Sequence, residues 1–294
     1  MKFSLLIVNY NTESYIEALI YSLLEQTISK LDFEIIISNN VQNKNLEEMI
    51  SKNNFYDVIN IKVVQIDENI GFGRATNAAA ELANGTHLLI INPDVLMTDN
   101  NYLSSMYQFI IRNQDYGVIS SKILGDNGFD MCEHYDYEFS ESFGYTNEIC
   151  WFSGSLLFIR KDLFKEIDGF DDDYFMFCED VDICYRIKKR GLPLIKNEEL
   201  SVYHKVGASE PVREHDFYRR WCKSRILFMH KHYNNNKFNE FINDLYKRQK
   251  FLSIRYTILD AIFPTNRYKM VAIEHQIMFE TVKKTINSST EHLY

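Results

Sequence analysis

Four apolar runs, at residues 3–8, 33–37, 61–66 and 87–91, alternate with segments of helical periodicity, and this alternation constrains the chain more than any other feature. A run that is apolar at every position marks a strand covered on both faces. After the first run, Ile16, Leu19, Ile20, Leu23 and Leu24 recur at helical spacing, with Ser14 and Glu17 placed for a capping box. Helices over 46–51 and 74–83 separate the later runs. Such alternation predicts an α/β fold, a Rossmann-like and mainly parallel central sheet flanked by helices. Ligands of these sheets bind at the carboxyl ends of the strands. Polar groups gather there: Asn9-Tyr10-Asn11, Asn39-Asn40, Asn69 and Asn92-Pro93-Asp94 each end an apolar run.

Farther on, the pattern predicts a helix over 102–113, a strand over 117–121, a polar stretch over 125–147 and an apolar segment over 150–159. A helix over 161–166 precedes an acidic, aromatic loop that runs into a helix ending near Lys189, and a last strand lies within 195–204. From Phe217 onward the pattern is helical, broken at Asn234-Asn235-Asn236 and at Pro264. Charge divides the chain at the same place. Residues 1–206 carry a net −15, whereas 207–294 hold 15 basic against 9 acidic residues, a net +6. An acidic body does not suit a nucleic-acid partner, while a basic helical extension suits an anionic surface. Five cysteines without a C-x-x-C pair give neither a disulfide framework nor a zinc cluster. The opening apolar run stops at Asn9, short of a signal core or a membrane span. The expectation is a cytoplasmic protein, peripheral on the inner face of the membrane.

Three elements carry chemistry. In Asn92-Pro93-Asp94, a carboxylate beyond a buried strand, on a Pro-stiffened turn, is placed to bind a hard divalent cation; a plain turn is the alternative. Residues 171–182 place six acidic side chains among aromatics. Aromatic walls raise a carboxylate pKa toward that of a general base, although Glu179 and Asp182 also suit the start of a helix. His204, after the last strand, becomes a metal ligand only if the fold brings it to Asp94. Gly71-Phe72-Gly73, between a strand and a helix, lets a phosphate or sugar approach a helix start; as a dinucleotide fingerprint it lacks its third glycine, where Thr76 stands.

Together these residues resemble family 2 glycosyltransferases of the GT-A fold, most closely the bacterial rhamnosyltransferase-like group that builds O-antigen lipopolysaccharide, capsule and other polysaccharides. The resemblance covers about residues 3–209. It rests on Val8-Asn9-Tyr10-Asn11, Asn69 through Gly73 with Asn77, Asn92-Pro93-Asp94, Trp151 through Gly154, Gly169-Phe170-Asp171, Glu179-Asp180-Val181-Asp182 with Arg186 and Gly191, and His204. It implies a GT-A domain over 1–209, with a nucleotide-sugar half (1–97) and an acceptor half (98–209); the helical basic extension (210–294) lies outside the resemblance. It also implies inverting transfer from a nucleotide-diphosphate donor, dTDP-rhamnose or a UDP-sugar, to a glycan or lipid-linked acceptor. Asp94 matches the last residue of the family's D-x-D motif and would bridge Mn²⁺ or Mg²⁺ to the diphosphate. Its first Asp is Asn92 here, which gives His204 more weight as second ligand. Asp180 matches the catalytic base, with Glu179 orienting a substrate. Val8, Tyr10, Asn11 and Asn39 match positions around the nucleobase, with Asn69, Gly71, Asn77 and Asn92 completing the donor side. Trp151 and Gly154 fall where sugar rings lie, an indole in the core being the alternative for Trp151. A catalytically impaired glycan-binding scaffold and a sugar nucleotidyltransferase are the rival readings, an NAD enzyme the third.

Overall fold

A computed structural model describes residues 1–135, 147–205 and 215–287. In chain order its elements are β1 (Phe3–Asn9), α1 (Glu13–Leu24), β2 (Phe33–Asn39), α2 (Asn45–Lys52), α3 (Phe55–Val58), β3 (Ile61–Gln65), α4 (Phe72–Glu81), β4 (His87–Ile91), β5 (Val95–Leu96) and α5 (Tyr102–Arg112). They continue with β6 (Val118–Leu124), β7 (Glu133–His134), β8 (Trp151–Phe152), β9 (Leu156–Arg160), α6 (Lys161–Glu166), α7 (Glu179–Lys189), β10 (Leu194–His204), α8 (His215–His232), α9 (Asn235–Ile262) and α10 (Asn266–Asn287).

The chain divides into two compact units. The first comprises residues 1–172 and 179–209, the second residues 173–178 and 210–294. In the first unit, eight strands run in the order β3-β2-β1-β4-β9-β6-β10-β5. β1 pairs in parallel with β2 and β4, and β2 with β3. Every residue of β1 and β2 is buried, as runs apolar on both faces require. β9 lies antiparallel to both β4 and β6, and β5 antiparallel to β10, so the sheet is mixed but mostly parallel. The expected α/β fold is what forms.

Local departures have local causes. The apolar segment 150–159 is two strands, because Ser153-Gly154-Ser155 turns the chain between β8 and β9. α1 is not held by a capping box at Ser14. Instead Asn9 Oδ1 accepts hydrogen bonds from the backbone N–H of Thr12 at 3.0 Å and its hydroxyl at 2.9 Å, fixing the strand-to-helix turn from the strand side. Residues 136–146 of the polar stretch 125–147 lie outside the described residues, as do Gly207-Ala208-Ser209.

In the second unit, Asn234 caps α9, its side chain accepting from Lys237 N at 2.9 Å. α9 and α10 pack against each other on either side of the turn that carries Pro264. Residues 173–178 belong to this unit through α8. Ser224 Oγ donates to the Met176 carbonyl at 2.7 Å, Lys231 Nζ pairs with Asp173 at 2.5 Å, and the Phe177 and Phe217 rings meet edge-on at 5.0 Å. Phe177 and Cys178 both take left-handed backbone conformations, φ 72° and 64°, which cost non-glycine residues about 1–3 kcal/mol each.

Candidate active site

The carboxyl ends of β1 and β2 hold a ladder of buried amides. Asn9 Nδ2 donates to Asn39 Oδ1 at 2.7 Å, and Asn39 Nδ2 donates to Gln65 Oε1 at 2.8 Å and to the Asn43 carbonyl at 3.0 Å. Asn39 is fully buried and engaged on both sides of its amide, so it braces the strand ends. Tyr10 and Asn11 stand exposed beyond β1, Asn11 with φ 56°, while Val8 is buried. Asn40, which the motif reading passed over, organises the next turn. Its Oδ1 accepts from Ile70 N at 3.0 Å and its Nδ2 donates to Asn69 Oδ1 at 2.9 Å, while Asn69 Oδ1 also accepts from Gly71 N. That bracing presents the start of α4 at Gly71, whose φ of 90° suits glycine.

Asn77, expected on the donor side, bonds to the turn at Phe170. Its Oδ1 accepts from Phe170 N at 2.9 Å and its Nδ2 donates to the Phe170 carbonyl at 2.8 Å, an exchange that imitates a strand pair. Arg186 holds the same turn, donating to the carbonyls of Ile167 and Gly169 while pairing with buried Asp182 at 2.6 Å. A Cβ added at Gly73 would lie 3.1 Å from the Phe170 Cβ and 3.8 Å from the Glu179 Cβ. Helix α4 therefore starts directly beside the first residue of α7.

Asp180 is anchored through both of its carboxylate oxygens. Its Oδ2 accepts from Gly154 N at 2.9 Å and its Oδ1 from Val181 N at 2.9 Å. A Cβ at position 154 would come within 3.2 Å of the Asp180 Cβ, so the glycine is what permits this approach. Next to Gly154, the Ser155 carbonyl accepts from Asn92 N at 3.0 Å. The Asn92-Pro93-Asp94 turn and Asp180 thus hang from the same short stretch, Ser153–Ser155. Sequence spacing gave no sign of this, since the link depends on the antiparallel pairing of β4 with β9. Asp94 meets His204, Oδ1 to Nε2 at 3.1 Å, because β5 pairs with the end of β10 and Lys205 N donates to the Asp94 carbonyl at 3.0 Å.

Burial sets the protonation of the neighbouring acids. Desolvation first, then the negative charges of Asp180 and Asp182, push the Glu179 carboxyl up to about 8. Its Oε2 is buried without a hydrogen-bond partner among the described residues. Desolvation also raises Asp180, but the N–H groups of Gly154 and Val181 pull it back. Two backbone donors thus favour the charged form of Asp180, while burial and the neighbouring charges favour the protonated form of Glu179. That is the arrangement of a base beside an acid.

The donor chemistry at Asp94 and His204 fits a divalent cation. Neighbouring ligands of an ion with bonds of about 2.1 Å lie about 3 Å apart, close to the observed spacing. Among the described residues no group of three or more His, Cys, Asp or Glu converges, and Asp94 with His204 is a pair of candidate ligands. Trp151 stacks one face on His134, 3.8 Å between centroids and 11° from coplanar, which covers that face of the indole.

Comparison with known proteins agrees with this architecture. Residues 4–168 match the family described as Glycosyl transferase family 2. The chain is 26% identical over 215 residues to the rhamnosyltransferase WbbL of Escherichia coli (strain K12), which covers 65% of this chain and 78% of WbbL. To the poly(ribitol-phosphate) beta-N-acetylglucosaminyltransferase TarS of Staphylococcus aureus it is 32% identical over 129 residues, 44% of this chain and 22% of TarS. Among solved structures, S. aureus TarS 1–349 in complex with UDP superposes with a TM-score of 0.57 at 18% identity, covering 98% of this chain and 91% of that one. The mannosyltransferase PcManGT from Pyrobaculum calidifontis, in complex with GDP-Man and Mn²⁺, gives 0.62 at 13% identity over 97% and 87%. At these identities the structures speak to the GT-A fold.

Proposed function

Because the chain belongs to glycosyl transferase family 2, and so is an enzyme of sugar transfer in glycan biosynthesis, we propose that it moves a hexose with inversion from dTDP-rhamnose or a UDP-sugar to a hydroxyl of a cell-surface glycan or lipid-linked acceptor. The observation that carries this reading is the common anchorage of Asp180 and the Asn92-Pro93-Asp94 turn on Ser153–Ser155. It ties a base to the residues that face a diphosphate. Asp180 takes the acceptor hydroxyl proton as that oxygen attacks the anomeric carbon. Both of its oxygens accept a backbone N–H, which fixes the carboxylate while leaving each a lone pair for the incoming proton. Glu179, favoured in its protonated form, has its free Oε2 to orient a sugar hydroxyl. Asp94 and His204 would hold Mn²⁺ or Mg²⁺, which when bound offsets the charge growing on the departing nucleotide diphosphate. Tyr10, Asn11 and Val8 lie at the end of β1 for the nucleobase, the Asn69–Gly71 turn for the diphosphate, and Trp151 for a sugar ring. The basic extension brings the enzyme to the inner face of the membrane, where a lipid-linked acceptor resides.

Release of nucleoside diphosphate from a panel of nucleotide sugars tests the chemistry. Asp180→Asn should lower kcat about 10³-fold with its thermal transition within a few degrees of wild type, and chelation should abolish turnover reversibly. Turnover indifferent to both would remove Asp180 and the metal from the mechanism, and no release from any donor would leave a glycan-binding protein of the same fold.

A further inference from the structure

Beyond Gln249, α9 buries no residue, and the next buried position along the chain is Ala272 in α10. The stretch between is nonetheless apolar on one side. Phe251, Ile254, Ile258 and Ile262 are each 53–62% exposed, and their spacing of three, four and four residues places them on one ridge. The residues by which α9 packs, Phe238, Ile242, Leu245 and Gln249, lie on the opposite face of the same helix. The ridge is therefore no continuation of the core. Phe263 and Met270 carry exposed apolar surface across the turn into α10.

Charge accompanies this ridge. Residues 247–270 hold six basic side chains, Lys247, Arg248, Lys250, Arg255, Arg267 and Lys269, against the single acid Asp260. At about 100° per residue Arg248 and Arg255 flank the ridge on one side and Lys250 on the other, with Asp260 on the far face. Isolated exposed apolar residues need no explanation, but a contiguous set rimmed by one sign of charge marks a binding surface. No helix among the described residues is long and apolar enough to cross a membrane, so the surface lies along its partner.

We propose that the α9–α10 tip docks on an anionic lipid bilayer, with Phe251, Ile254, Ile258 and Ile262 entering the interface and the flanking cations meeting lipid phosphates. Charge complementarity favours this occupant over a second copy of the chain, because two such tips brought together would oppose one net positive rim to another. The inference deepens the membrane-facing part of the reading above and uses none of its chemistry, so docking and sugar transfer can fail separately.

Co-sedimentation of the full chain with vesicles tests it. Wild type should pellet with phosphatidylglycerol:phosphatidylcholine vesicles and stay in the supernatant with phosphatidylcholine alone. Ile254→Glu/Ile258→Glu should weaken binding at least tenfold, and Arg255→Glu/Arg267→Glu should weaken it comparably and flatten its dependence on salt, both with unchanged helical circular dichroism. Undiminished pelleting of either variant overturns the proposal. So does a wild-type dimer by light scattering that Ile254→Glu/Ile258→Glu dissociates, since the ridge would then belong to a second copy.

Discussion

Glu34 and Glu179 are both buried carboxyls of the first unit, one near the start of a strand and the other at the start of a helix, and they are treated in opposite ways. Glu34, near the start of β2, takes hydrogen bonds from Ser4 Oγ at 2.7 Å and Asn84 N at 2.6 Å, and pairs with Lys62 at 2.8 Å. Burial alone would raise its pKa, but the Lys62 ion pair and the bonds from Ser4 and Asn84 reverse that, and it lies below the usual carboxylate range. Glu179 starts α7 with one oxygen buried and unmatched among the described residues, and its pKa stands far above that range. A charge that the fold satisfies contributes stability. A carboxyl left unsatisfied costs stability and keeps a hydrogen-bonding group available to a ligand.

The largest effect should come from the satisfied carboxyl. Glu34→Ala removes the acceptor shared by Lys62, Ser4 and the Asn84 amide and should cost about 3 kcal/mol in urea unfolding; a loss under 1 kcal/mol would erase the contrast. Near the other, Gly154→Ala drives a methyl against the Asp180 Cβ and should lower kcat roughly 10- to 100-fold, about 1.4–2.7 kcal/mol of barrier, with a smaller change in stability. Asn77→Ala removes the paired bonds to Phe170 and should cost about 1.5 kcal/mol while leaving the KM for the donor near wild type. A large rise in that KM would return Asn77 to donor binding.

The smallest effect at neutral pH is expected for Glu179→Gln, yet it sharpens the comparison most. With its folded pKa raised to about 8, wild-type Glu179 binds its proton more tightly folded than unfolded. Its contribution is therefore complete below pH 4.5 and is lost as pH rises toward and through 8. Glutamine should flatten that decline. Glu34 works in the other direction, its stabilisation present above the ordinary carboxylate pKa and lost as pH falls through its lowered value, so Glu34→Gln should flatten only the acid side. Thermal unfolding followed from about pH 2 to pH 9 separates the two.

The parallel half of the sheet is legible because β1 to β4 each carry a mostly apolar run, a pattern that depends on local sequence alone. β9 is not, since its place between β4 and β6 is a choice among distant partners. β5, β7 and β8 have two residues each and exist only through their pairings. Within the site, residue types at strand ends announced polarity but not direction. Asn39 and Asn77 were read toward a ligand, and the structure turns their amides inward onto Gln65 and Phe170. Asp94 and His204, 110 residues apart in the chain, were expected together only conditionally, and the β5–β10 pairing supplies the condition. The left-handed pair Phe177-Cys178 opposes every local preference, so only its tertiary surroundings could reveal it.

Residues 173–178 leave the ribosome well before their partners do. Ser224, which holds the Met176 carbonyl, comes 48 residues later, and Lys231, which pairs with Asp173, 58 residues later. During synthesis Tyr174 and Phe177 wait without their covering helix, and the peptide that leads into Glu179 gains its final conformation only after α8 has been made. A nascent chain arrested before that point would own its complete parallel sheet and still lack the support of the six residues that precede its acid pair.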